Sequence, residues 1–85
     1  MSFSARTRLE LAMRKARCYD PKFKDLITEA SKSPDIDIKI ECFKQWAEET
    51  DEFRKQAERE LGADFKPTWN WRSMPEEKAI EILKI

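Results

Sequence analysis

The stretch "SPDIDIKIECFKQWAEETDEFRKQAEREL", residues 33–61, decides the architecture of this chain, because its opening reads in two ways. Ile36, Ile38 and Ile40 alternate like one face of a half-buried strand. The same region also places Ile36, Ile40, Phe43 and Ala47 on one helical face, behind a Ser33-Pro34-Asp35 entry that suits the start of a helix. The strand signal is three residues at period two, whereas the helical one persists for three turns, so a helix is expected. Phe53, Ala57 and Leu61 continue the stripe, with Thr50 or Asp51 able to cap a fresh segment if the helix breaks there. Gly62, the sole glycine, follows as a terminator with positive φ.

Outward from this segment, punctuation sets the other elements. "SARTRLELAMRKARCY", residues 4–19, carries Leu9, Met13 and Ala16 at helical spacing, near Ala5, Ala12 and Tyr19, with Ser4 or Ser2 as N-cap. Asp20-Pro21 marks a boundary, since Asp caps well and Pro suits the first helical position. The second helix runs to about Lys32 and buries Phe23, Leu26, Ile27 and Ala30. Ser73-Met74-Pro75-Glu76 matches a capping box, opening a last helix that buries Ile80 and Leu83, with Ala79 or Ile82 nearby. The expected fold is all-α: a small single-domain bundle of about four helices, 4–18, 21–32, 34–61 and 74–84, with a Trp-containing loop before the last helix.

The totals agree with one helical domain over residues 1–85. Eighty-five residues bury only a thin core, and 40% charged residues with one glycine favour helices with solvated faces over a β-sandwich. No apolar run approaches the roughly 20 residues that span a bilayer, and "MSFSARTRLE" has no apolar signal core. A soluble, cytoplasmic protein is expected. Cys18 and Cys42 lack CxxC spacing and read as free buried thiols.

Chemistry is sparse. The absence of histidine removes the commonest general base and metal ligand together. No Gly-rich phosphate loop or nucleophile elbow is present, and the acidic runs "EETDE" and "DID" are more simply solvated. The reading is therefore no catalytic, cofactor-binding or metal residues, and no enzyme.

Charge is segregated although it sums to zero: +5 over residues 1–24, −6 over 25–64 and +1 over the rest. Arg6, Arg14 and Arg17 follow spacings of eight and three, placing them on a broad face of the first helix roughly opposite Leu9 and Met13, widened by Arg8, Lys15, Lys22 and Lys24. Such a patch tracks phosphates or meets an acidic protein; the alternative is a solvated helix neutralised by the acidic middle. "TWNW", residues 68–71, points Trp69 and Trp71 the same way if extended, beside Lys66 and Arg72. They cover a thin core, anchor a protein partner or stack on unpaired bases, and one is expected buried and one partly exposed. Trp46 reads as core or core edge.

The run "YDPKFKDLITEAS…FKQWAEETDEFRKQAERE", residues 19–60, resembles the helix-turn-helix segment of phage small-terminase proteins. That family places a Trp at the close of the recognition helix and a "pEFr" stretch at the start of the next; Trp46 and Asp51-Glu52-Phe53-Arg54 hold those places here. The resemblance implies DNA binding by subunits that form rings. The chain departs from the pattern between Ala30 and Trp46, where Pro34 and three isoleucines replace a small-residue turn.

The functional expectation is a small binding protein that docks on another macromolecule, most simply a protein, and regulates or inhibits it, in the manner of accessory proteins of phages or mobile elements. Its partner-binding residues would be Arg6, Arg14, Arg17, Trp69, Trp71 and Arg72. A DNA- or RNA-binding module using the basic first helix is the alternative, and a homo-oligomer completing its own apolar faces is a third.

Overall fold

The computed structural model describes residues 3–62 and 74–84. Among these residues four α-helices follow in order: α1 (Ala5–Lys15), α2 (Lys24–Ala30), α3 (Ile36–Leu61) and α4 (Glu76–Lys84), with a 3₁₀ turn, Pro21–Phe23, leading into α2. Residues 36–40 are helical, so the entry signal outweighed the alternating isoleucines. Ile38, the middle one, lies away from the body and is 58% exposed, as a helix rather than a strand requires.

Local chemistry explains each end. The Ser4 side chain accepts from the Thr7 amide at the start of α1. Asp20 accepts from the Lys22 amide ahead of Pro21, but the first turn it caps is 3₁₀ rather than α. α1 stops in a Schellman motif: the Arg17 amide bonds the Arg14 carbonyl at 2.9 Å and the Cys18 amide bonds the Met13 carbonyl at 3.1 Å. Gly62 closes α3 at φ 73, ψ −160, a region open almost only to glycine. The α3 helix is unbroken through Thr50 and Asp51. The capping box expected before α4 includes Ser73, which lies outside the described residues.

α1 packs chiefly along α3, α2 lies against α1 and α4, and α4 also meets α3. Phe43, Leu9, Met13 and Ile27 are the largest fully buried side chains. Around them lie Ala12, Ala16, Phe23, Ala30, Ile40, Ala47, Met74, Ala79, Ile82 and Leu83. In α4 the buried set is Ala79, Ile82 and Leu83, while Ile80 is only half-buried. Leu83 is buried as expected, while Ile80 gives up the second place to Ala79 and Ile82; Ala79 lies three residues from Ile82 and four from Leu83 on the packed face. Leu26, Ile36, Trp46 and Tyr19 sit at the core's edge.

One pattern spans all of α3. Ile36, Ile40, Phe43, Ala47, Thr50, Arg54, Ala57 and Leu61 alternate in steps of four and three, the spacing of a heptad seam. The first four serve the core, with Ile36 at its margin. The last four run past the end of α1; Thr50, Arg54 and Ala57 are half-buried, and Leu61 is 63% exposed. Phe43 is the central residue of the packed half, so Phe43→Ala should cost about 3–5 kcal/mol. That is a large share of the stability of a domain this size, and urea denaturation followed by circular dichroism should show an unfolding midpoint far below that of the unsubstituted chain.

Candidate docking surface

The cations expected to act together do not share one face. Arg6 flanks the core side of α1 and pairs with Glu10 at 3.0 Å. Arg14 is exposed and stacks over the Tyr19 ring, 5.0 Å from its centroid. Arg17 lies beyond the helix, at the C′ position of the Schellman motif with φ 58. Two features of α1 separate them. At a rotation of about 100° per residue Arg6 falls beside Leu9 rather than opposite it, and α1 ends at Lys15, before Arg17. Trp69, Trp71 and Arg72 lie outside the described residues.

The structure instead assembles a different group. Between α1 and α3 is a shallow groove of about 210 Å³, lined by Arg8, Leu11, Ala12, Lys15, Ile40 and Lys44. Arg8 and Lys15 lie seven apart on the outer side of α1, with Leu11 between them. Leu11 is 46% exposed, an apolar side chain ringed by cations from two helices. Sequence reading missed Lys44 because it is nearly 30 residues from the basic segment and only tertiary packing brings it there. The signal available was Leu11, which sits on the polar side of α1, off the Leu9–Met13 stripe.

The positive field of this groove is diluted. Arg8 bonds Asp37 across the groove at 2.5 Å, and Lys44 stands one turn from both Glu41 and Glu48. At the other end of the molecule Lys22 bonds Glu76 at 2.7 Å, tying the turn before α2 to the start of α4. The Glu76 carboxylate raises the Lys22 ammonium above its usual range, chiefly through that hydrogen bond.

Neither cysteine is disulfide-bonded, and both are half-buried rather than fully buried. Burial pushes the Cys18 thiol up to about 11, partly opposed by a backbone hydrogen bond. Among the described residues, no group of three or more His, Cys, Asp or Glu could hold a metal ion, and no helix is long and apolar enough to cross a membrane. No protein-family model, curated protein or solved structure matches this chain.

Two outcomes follow from this geometry. Arg17 holds a left-handed conformation that costs an L-residue about 1 kcal/mol, so Arg17→Gly should raise stability by about 0.5–1 kcal/mol in urea denaturation. Cys18 should exchange slowly with an aromatic disulfide. At pH 8 its thiolate is about a hundredfold scarcer than that of a thiol at 9.0, and greater intrinsic nucleophilicity recovers about tenfold. A rate about tenfold below free cysteine is expected, rising with pH until about 11.

Proposed function

We propose that this chain is a non-enzymatic docking protein that binds another protein through the α1–α3 face and regulates it. The observation that carries the reading is Leu11, exposed at the centre of Arg8, Lys15 and Lys44. An apolar centre within a charged rim is the anatomy of protein interfaces, and its complement is an apolar side chain flanked by carboxylates.

Charge favours protein over nucleic acid. A phosphate-tracking surface gains affinity from each cation that releases counterions, and here Arg8 is engaged by Asp37 while Lys44 lies between two glutamates one turn away. The chain's net charge of zero offers no long-range attraction for a polyanion. For enzymatic work the described clefts offer little. The groove joins cations to aliphatic side chains, and among the described residues the groups with shifted pKa are a raised thiol and an exposed lysine, neither poised as acid or base near neutrality.

A photo-crosslinking amino acid placed at Lys15 tests the reading in cells that naturally carry the gene. One discrete protein adduct, lost when Leu11→Asp is added, is the expected result. In parallel, short single- and double-stranded oligonucleotides should show no saturable binding at ~50 or ~200 mM salt, the range over which counterion release gives its largest contrast. Binding at the lower salt that disappears in Lys15→Glu with Lys44→Glu would replace this reading with a nucleic-acid one.

A further inference from the structure

The cleft between α2 and α4 contains a buried cation whose hydrogen-bonding capacity the fold only partly uses. Lys39 projects from the end of the first turn of α3 and is only 3% exposed. Its Nζ donates one hydrogen bond, of 3.0 Å, to the backbone carbonyl of Leu83 in the last turn of α4. The carbonyl end of a helix attracts a cation, which explains where the ammonium sits. An ammonium has three donors, however, and no acidic side chain among the described residues lies within ion-pair distance of Lys39. A buried charge with no ion-pair partner among the described residues and donors to spare is costly, and such a group in a native interior calls for an explanation.

The surroundings define what would complete it. Lys39 lines a cleft of about 370 Å³, with Leu26, Ala30 and Leu83 as apolar wall. Ser33 also lines it, and its Oγ already accepts from the Asp35 amide at 3.2 Å, which leaves the hydroxyl proton free to donate. Lys84 stands at the mouth as a further donor. Opposing them are the exposed Glu29 carboxylate and the negative end of α4, both of which disfavour a second negative charge. The volume is at the small end for ligand sites.

We propose that this cleft binds a small branched monocarboxylate. The carboxylate takes the remaining Lys39 donors with help from Ser33 and Lys84, and the aliphatic tail lies on Leu26, Ala30 and Leu83. This site is separate from the α1–α3 face and does not rest on its assignment.

Isovalerate, with isovaleramide as its uncharged isostere, is the probe, read by amide chemical shifts of the whole chain. Isovalerate should shift the amides of residues 26–33 and 83–84 saturably, with a Kd of about 1–10 mM for so small a ligand, and isovaleramide should not. Ser33→Ala should weaken the acid about 3- to 10-fold, and Lys39→Met should abolish its effect. If Lys39→Met fails to fold, the acid–amide contrast and Ser33→Ala still decide. The tripeptide Gly-Gly-Leu, as acid and as C-terminal amide, identifies the source. An acid more than tenfold tighter than isovalerate assigns the site to a peptide terminus; an equal or weaker one assigns it to a free acid. Equal shifts from isovalerate and isovaleramide, or no saturation by ~50 mM, would overturn the proposal and leave Lys39 as a hydrated cap on α4.

Discussion

The packing of α1 along the first half of α3 is the constraint on which the rest of the molecule depends. Leu9 and Met13 from one helix and Phe43 from the other are fully buried, and Ile27 of α2 joins them from the side. Each such side chain contributes about 1.5–3 kcal/mol when removed from water, and a chain of 85 residues has few of them. The shorter helices are too brief to be stable alone. α2 has 7 residues and α4 has 9, so both exist because this apolar ledge is there to receive them.

α3 is longer than that packing requires. At about 1.5 Å per residue its 26 residues extend roughly 39 Å, comparable with the 44 Å long dimension of the molecule. Only its first half has α1 beside it. The heptad spacing nevertheless continues unchanged to Leu61, and the half-buried Arg54 within it pairs with the exposed Glu58 at 3.1 Å. Such pairs add at most a few tenths of a kcal/mol each. Helix propensity and the glycine stop therefore set the length of this half more than its charges do.

The elements were legible in the sequence because helix punctuation is local. Ser4, Asp20, Pro21 and Gly62 each act on amides or dihedrals within a few residues, and the structure uses all four. The isoleucine ambiguity was resolvable for the same reason: a competing period must persist to outweigh a capped entry, and three residues do not. What was illegible depends on neighbours distant in sequence. Lys44 joins Arg8 and Lys15 only through the α1–α3 packing. Lys39 is buried only because α4 ends above it. A lysine between two isoleucines on an amphipathic helix reads as solvated, and no periodicity distinguishes one that finds a carbonyl 44 residues away.

Arg17 illustrates a third kind of failure. Its spacing from Arg6 and Arg14 would be meaningful on a continuing helix, but the helix ends before it. Glycine is the residue that costs least at such a C′ position, yet the chain carries an exposed arginine there at φ 58. The Schellman hydrogen bonds come from backbone amides and would form equally well with glycine. The side chain accordingly adds nothing that the motif needs, and the left-handed backbone is a local cost of about 1 kcal/mol that glycine would not carry. Lys15 is the last residue of α1 and lines the α1–α3 groove, whereas Arg17 lies two residues on, after the chain has left the helix. Helical spacing therefore groups Arg17 with neither Arg6 nor Arg14, because the left-handed turn at φ 58 redirects the chain before a common face can form.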